Sequence, residues 1–273
     1  MTDDPFGYRG KRVLVTGAAS GIGSACAAIL GELGAEVHGL DVKQPSVPMA
    51  GFRTTDLADP DQIDAGVAAI GGPVNALFCC AGLPTTAPDL DIVLVNFVGH
   101  RHLAESALAL MPEGSAVGFI SSAAGMGWLM NMESLMGLVG TPDFAAAERW
   151  CREHNQAFAG DAYRFSKEAI NAYVAHRGYQ LASQGIRMNS LNPGPTDTPM
   201  MPQFIKTMGE DYFASFPRPI GRNARPEEQA WVLIFLNSPR ASYVTATTVF
   251  ADGGFSGGVF TGHVDVAALM PTR

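Results

Sequence analysis

Arg12-Val13-Leu14-Val15-Thr16-Gly17-Ala18-Ala19-Ser20-Gly21-Ile22-Gly23 decides how this chain is read. A short apolar strand, Arg12 to Thr16, runs straight into a glycine cluster, and the cluster opens a helical stretch from Ile22 to Leu33 that Gly34 stops. Glycines there let the backbone turn sharply, approach a pyrophosphate closely and aim a helix N-terminus at its charge. Gly17, Ser20, Gly21, Ile22 and Gly23 would form that cradle, with the Thr16 hydroxyl bracing the turn. The spacing departs from G-x-G-x-x-G, so an ordinary strand-to-helix turn is the competing reading; the place after a first strand favours a dinucleotide.

Outward from this unit, short β-branched runs alternate with longer amphipathic stretches. Strands are expected at Glu36–Asp41, in a weaker third run that ends near Asp56, and at Ala76–Cys80, Ala116–Ile120, Arg187–Leu191 and Thr248–Phe250. Helices are expected over Pro60–Ile70, Asp91–Met111 and Tyr163–Gln184. The alternation predicts a single α/β domain over 1–273: a Rossmann-like, doubly wound, seven-stranded parallel sheet with helices on both faces. Ligands in such folds bind outside the carboxyl ends of the strands. Asp41 ends the second strand, 18 residues beyond Gly23. A carboxylate there accepts both hydroxyls of an adenosine ribose and repels the extra phosphate of NADP. Lys43 and Arg53 would soften that repulsion, but Ser20 and Val42 supply no cation, so NAD is favoured over NADP. A solvated loop acid is the alternative for Asp41 taken alone.

The composition limits the partners. Of 273 residues, 18 are Lys or Arg and 26 Asp or Glu, a net charge of -8 with no basic run, which argues against nucleic acid and against a polybasic membrane anchor. At 47% hydrophobic and 16% charged, the chain has ample material for a core. Its apolar runs, of which Ala230–Leu236 is the clearest, fall short of the roughly 20 residues a membrane span needs. The start, Met1-Thr2-Asp3-Asp4-Pro5, is acidic and unlike a secretion signal. Cys26, Cys79, Cys80 and Cys151 lack metal-ligand spacing and no metal is expected; the reading is a reduced, cytoplasmic protein. Cys79 and Cys80, adjacent on a strand, should point to opposite faces as packed thiols.

Tyr163-Arg164-Phe165-Ser166-Lys167 places a phenol and an ammonium four apart on one helix face. A nearby ammonium stabilises a phenolate and is expected to lower the Tyr163 pKa toward working pH, so the phenol can take a proton from an alcohol or give one to a carbonyl. By itself such a pair is common by chance.

It does not stand by itself. Thr16 to Gly23, Asp56-Leu57, Ala81-Gly82, Asn96, Ser122, Tyr163 with Lys167, and Asn192-Pro193-Gly194 occur in an order that resembles the short-chain dehydrogenase/reductase family, from about Lys11 to Gly254. The layout is similar to that family's bacterial 3α-hydroxysteroid dehydrogenase/carbonyl reductase-like and coniferyl-alcohol dehydrogenase-like members. The resemblance implies that Tyr163 is the general acid/base, that Lys167 tunes it and holds the nicotinamide ribose, that Ser122 bonds the reacting oxygen and that Asn96 holds a water of a proton relay. Ser121 would then be a strand-end residue; the alternative for Asn96 is a polar residue starting a helix. By the same resemblance Asp56 and Leu57 contact adenine, the former otherwise being the N-cap of the Pro60 helix. Ala81 and Gly82 lie along the cofactor. Pro193, Gly194, Thr196 and Thr198 contact the nicotinamide amide and phosphate, where the alternative is a rigid proline loop. The family also implies a homodimer or homotetramer, to which Phe255–Phe260 and the tail over 255–273 would contribute.

Two departures carry expectations of their own. Cys79-Cys80-Ala81-Gly82 stands where the family commonly has Asn-Asn-Ala-Gly, so the amide contacts that steady the sheet there are replaced or lost. Ser122 and Tyr163 are 41 positions apart, far more than is usual, which makes 126–160 an insertion with a break at Gly140-Thr141-Pro142. Its Met126 and Trp128, beside the catalytic Ser, would wall a large apolar pocket; equally, the segment would be a helical subdomain on its own core or on another subunit. The 195–220 segment would be the substrate loop, lined by Met200, Met201 and Phe204. The function expected is an NAD-dependent interconversion of a secondary, allylic or aryl alcohol with its carbonyl on a bulky hydrophobic substrate, of 3α-hydroxysteroid dehydrogenase/carbonyl reductase type. The alternatives are a coniferyl, aryl or terpene alcohol dehydrogenase and, more remotely, a non-catalytic dinucleotide-sensing module.

Overall fold

β1 (Arg12–Thr16) lies inside a seven-stranded sheet whose order is β3-β2-β1-β4-β5-β6-β7. All neighbours run parallel. The computed structural model describes residues 4–265. The other strands are β2 (Glu36–Asp41), β3 (Gly51–Thr54), β4 (Ala76–Cys79), β5 (Ala116–Ile120), β6 (Arg187–Pro193) and β7 (Thr247–Ala251). Successive side chains of β1 go to opposite layers. Val13 and Val15 join a cluster with Cys26, Ile29 and Leu30 of α1 (Gly21–Glu32) and with Leu233 and Ile234 of α10 (Pro226–Asn237). Leu14 joins the other cluster, with Ile63 and Val67 of α2 (Pro60–Ala68) and Ile170 and Val174 of α7 (Ala162–Ala182). Cys79 and Cys80 divide the same way, one against each cluster. The doubly wound sheet with helices on both faces is therefore as the sequence implied.

The chain order reverses between β1 and β4, so the crevice at the carboxyl ends of these two strands is the topological switch point of the sheet. The glycine cluster, Ala81-Gly82 and β5's exit to Ser122 all open onto that end.

The single helix expected over Asp91–Met111 is three pieces. α3 (Asp89–Val93) passes into a π turn, Leu94–Gly99, and then into α4 (His100–Leu108). A widened turn inside an otherwise regular helix shifts the faces that the residues on either side present. Asn96 lies in the middle of that turn rather than at a helix start. Another correction concerns the cap of α2: Asp59, not Asp56, accepts the backbone N–H groups of Asp61 and Gln62 at 3.0 and 3.2 Å.

The 126–160 segment does not make a core of its own. A 3₁₀ stretch, Ala123–Asn131, leads to α5 (Met132–Val139) and, after the break at 140–143, to α6 (Phe144–Glu153). Leu135, Leu138, Phe144, Ala147 and Phe158 pack into the same buried cluster as Phe97, Phe165 and Tyr173. Arg101, only 5% exposed, fastens the break. Its guanidinium donates to the carbonyls of Leu138, Val139, Thr141 and Asp143 at 3.0–3.2 Å and to the Thr141 hydroxyl at 2.8 Å. A cation is well placed against the negative end of α5.

After β6 come α8 (Met201–Met208) and α9 (Glu210–Ser215). After β7 comes the short α11 (Phe255–Phe260). The expected interface tail beyond Asp265 lies outside the described residues. No helix among the described residues is long and apolar enough to cross a membrane.

Candidate active site

The cradle at the crevice is built from backbone. Gly17 has φ +67°, a left-handed conformation that a side chain would strain, and a Cβ there would stand 2.8 Å from the Ala81 nitrogen and Cα. Gly23 is packed tighter still, since its Cβ would meet the Gly17 oxygen at 2.3 Å. Ser20 occupies the N-cap position of α1 with extended backbone but makes no side-chain cap, and the first turn carries no acid. The leading N–H groups of a helix have no partner within it. Those of Gly21, Ile22 and Gly23 therefore face the crevice as donors suited to an anion. Thr198 lies over this turn, its Cγ2 3.4 Å from where a Gly21 Cβ would be.

Asp41, at the end of β2, accepts from the Ala19 N–H and the Lys43 N–H, each at 2.9 Å, so its carboxylate is tied to the glycine loop. Asp56 is exposed and its carboxylate accepts from the Ala58 N–H at 2.9 Å, while Leu57 is buried. Pro193 closes β6 and Gly194 presses against Asp252. The Thr196 hydroxyl donates to the Gly194 carbonyl at 2.9 Å.

Four side chains from three elements meet beside this cradle. Tyr163 and Lys167 share one face of α7, the Lys167 ammonium 5.5 Å from the Tyr163 ring centre. Ser122, two residues past the end of β5, lies close enough to the Tyr163 phenol for its hydroxyl to lower the phenol's pKa, and its oxygen accepts from the Ala124 N–H at 3.2 Å. Its neighbour Ser121 is buried and donates to the Lys167 carbonyl at 2.8 Å, so the two adjacent serines serve different ends. Asn96 is fully buried; its amide oxygen accepts from the Leu83 N–H at 2.6 Å, and its NH₂ donates to the Leu83 carbonyl at 3.1 Å and the Ser166 hydroxyl at 3.3 Å. Lys167 donates to the Ile120 carbonyl at 2.9 Å.

The electrostatics differ from the expectation that Lys167 lowers the phenol pKa. Burial pushes Tyr163 up to about 12, with the Ser122 hydrogen bond offsetting a part. Burial also pulls Lys167 down to about 8. In this structure the ammonium donates to the Ile120 carbonyl, and desolvation sets the direction of the shift for both groups.

The missing asparagine amides after β4 are replaced by one hydroxyl. Thr16 Oγ1 accepts from the Cys80 N–H at 2.9 Å and the Ala81 N–H at 3.1 Å, so it braces the segment after β4 and not the glycine turn that the sequence suggested. It also lies 2.9 Å from Nε2 of buried His100. Sequence reasoning passed over His100 and Arg101. A signal existed: Phe97, His100, Ala104 and Ala107 follow the three-four spacing of one buried helix face.

Above the site lies α8. The ring of Phe204 sits edge-on to Tyr163 at 5.0 Å between centres and 75° between planes. Thr207 accepts from the Thr85 hydroxyl at 3.0 Å and Gln203 from the Thr86 hydroxyl at 2.8 Å, which latches α8 to the loop after β4. Met200 and Met201 are half-buried in the same segment. Trp128 is half-buried against the large core cluster beside α7, and Met126 is half-buried near it.

The chain is similar in sequence and fold to known proteins. Residues 11–134 match the family described as short chain dehydrogenase, and residues 143–256 one described as enoyl-(acyl carrier protein) reductase. The chain is 28% identical to the coniferyl-alcohol dehydrogenase of Pseudomonas sp. (strain HR199 / DSM 7063), over 90% of its own length and 96% of the relative. It is 30% identical to the 3-alpha-hydroxysteroid dehydrogenase/carbonyl reductase of Comamonas testosteroni, over 89% and 95%. The crystal structure of the 3-alpha-hydroxysteroid dehydrogenase from Pseudomonas sp. B-0831 complexed with NADH superposes with a TM-score of 0.76 at 29% identity, covering 93% of this chain and all of that one.

Proposed function

The chain belongs to the short-chain dehydrogenase/reductase family, and on that premise we propose that it is an NAD-dependent oxidoreductase that interconverts a secondary alcohol and its ketone on a bulky, ring-bearing substrate. The observation that carries the reading is the meeting of Tyr163, Ser122 and Lys167 at the switch-point crevice, beside an uncapped helix N-terminus and under an aromatic side chain. The free donors of the α1 first turn suit a pyrophosphate, and Asp41, already oriented by Ala19 and Lys43, suits the ribose of NAD. A nicotinamide dinucleotide bound by these residues would supply the hydride acceptor or donor of the reaction.

The protein's own residues then handle the proton. Ser122 and the Tyr163 phenol together hold the substrate oxygen, and Tyr163 receives or returns its proton. Its high pKa in the free protein keeps the phenol protonated and ready to act as the acid. Working as a base needs Lys167, whose low pKa in the same environment makes it a ready proton carrier behind the phenol. The Asn96 side chain is committed to Leu83 and Ser166, so a relay water would be held by the second lone pair of its backbone carbonyl. Phe204 and α8 exclude bulk water and supply the apolar wall, to which Met126, Trp128, Met200 and Met201 are assigned as further lining.

Tyr163→Phe should abolish turnover while leaving NADH affinity within about twofold; turnover near the wild-type rate in that variant would refute the assignment. The substrate is read as a 3α-hydroxysteroid or comparable ring ketone. The 28% identity to a coniferyl-alcohol dehydrogenase favours an aryl alcohol as the second reading. Rates with NAD on a panel of hydroxysteroids and cinnamyl-type alcohols separate the two, and good activity confined to polar sugars would reject both. The same reading places the protein in the cytoplasm, in line with its four free cysteines, as a homodimer or homotetramer that light scattering would resolve.

A further inference from the structure

We infer that His100 is a positioning residue that locks the Thr16 hydroxyl in one orientation and so holds the dinucleotide turn and the Asn96 turn in register. The inference rests on the reading of the crevice as a dinucleotide site. It starts from proton counting. His100 is 1% exposed and begins α4 immediately after the π turn, its ring edge-on to Phe119 at 6.4 Å. Its Nδ1 lies 3.1 Å from the Asn96 backbone oxygen. A carbonyl only accepts, so Nδ1 carries the hydrogen. Burial pulls the ring's pKa down to about 4, which keeps it neutral at working pH and leaves a lone pair on Nε2. At 2.9 Å from Nε2, Thr16 Oγ1 is therefore the donor.

A hydroxyl has one proton and two lone pairs. With its proton given to His100, Thr16 turns both lone pairs toward the Cys80 and Ala81 N–H groups, at 2.9 and 3.1 Å. The other acceptor within range is the Phe78 carbonyl, at 3.5 Å. A hydroxyl rotated onto Phe78 would draw a lone pair away from the two amides. Cys79 and Cys80 face the apolar clusters on the two sides of the sheet and bring no polar group of their own to this place. The network thus runs from Ala81, against which Gly17 packs, through Thr16 and His100 to Asn96, whose side chain fixes Leu83. Its two ends are the pyrophosphate turn and the proton-transfer site.

Fluorescence titration of the full chain with NADH tests this, using His100→Leu, Thr16→Val and the double variant. Each single variant should weaken NADH binding about tenfold, the cost of leaving one buried polar partner unmet. The double variant should be no more than about threefold weaker than either, because both substitutions break the same link. Fully multiplicative losses, or His100→Leu binding NADH as the wild type does, overturn the inference. Should His100→Leu fail to fold, two polar replacements decide. His100→Gln reaches Thr16 and should bind NADH within about threefold of wild type, whereas His100→Asn is too short and should lose about tenfold. Equal affinities for the two overturn it. A merely structural role would lower the urea midpoint of these variants while leaving NADH affinity at the wild-type value, and that outcome overturns the inference. A wild-type protein that does not bind NADH at all removes the dinucleotide reading and this inference with it, an outcome distinct from the failure of His100 alone.

Discussion

Replacing Arg101 by Met should loosen the 126–160 segment from the body of the protein. The guanidinium faces five acceptors, the carbonyls of Leu138, Val139, Thr141 and Asp143 and the Thr141 hydroxyl, and serves them with three N–H groups, because the two hydrogens of Nη1 are shared among four of them. Methionine keeps most of the apolar stem's packing but returns none of these bonds. A hydrogen bond to a charged group is worth about 1.5 kcal/mol or more, so losing three engaged donors costs about 5 kcal/mol. Against this stands the cost of burying the cation, visible as a guanidinium pKa below its ordinary value with burial as the main cause. Relief of about 2 kcal/mol leaves a net destabilisation of about 3 kcal/mol. Equilibrium urea unfolding with a shared m-value measures it, and the melting temperature should drop by about 6–12 °C. Limited proteolysis should at the same time find a new cleavage near 140–143. A variant within about 0.5 kcal/mol of wild type, with an unchanged digestion pattern, would show that the carbonyls find equivalent partners without Arg101 and that the clamp is not what fastens the insertion.

Three further outcomes are expected. Lys167, pulled from 10.5 to about 8 in the native state, gives up its proton on folding between those two pH values, so stability gained there is present above about pH 10.5 and lost as pH falls through about 8. Urea unfolding at pH 8 and pH 10 should therefore show wild type gaining about 2–3 kcal/mol more than Lys167→Met over that interval, and parallel trends for the two would disprove the coupling. Gly23→Ala places a methyl 2.3 Å from the Gly17 oxygen and should weaken NADH by at least about 100-fold in calorimetry; near-normal binding would mean that the turn is not the cofactor cradle. Phe204→Ala removes the ring above Tyr163 and should raise KM for ring ketones about tenfold while NADH affinity changes less than about twofold, whereas an unaltered KM would take α8 out of the substrate wall.

The parts of the fold that were legible share a physical cause. β1, β2 and β5 begin and end where the sequence placed them; β1 and β5 are buried on both faces and exit into Gly17 and Ser121, so each reads as a short apolar run with a small residue after it. β6 runs on through Asn192 and Pro193, which a sequence reading stops before, since a proline is tolerated only at a strand's end. The π turn was hidden because Leu94-Val95-Asn96-Phe97-Val98 is apolar on nearly every side, and one inserted residue per turn leaves no mark on such a pattern. At the site, spacing gave Tyr163 and Lys167 a common helix face but held no information about desolvation, and desolvation sets the direction of both their pKa values. Ser121, buried, donates to the Lys167 carbonyl, while its neighbour Ser122 is half-buried beside Tyr163. His100 and Arg101 drew no reading from the sequence, because their burial depends on the 126–160 segment and on β1, elements far away along the chain.

The insertion's apolar side chains complete the same packed interior that seats Phe165 and Tyr173 of α7, two residues and ten residues from the phenol. It is accordingly not a cassette that can be exchanged between homologues at Met126 and Gly160. A transplant with different volumes would leave voids beneath the very helix that carries Tyr163, and the chimera would lose precision at the reacting oxygen before it acquired a new substrate. Successful retargeting would have to carry the inward half of α7, with Arg101 opposite, as part of the graft.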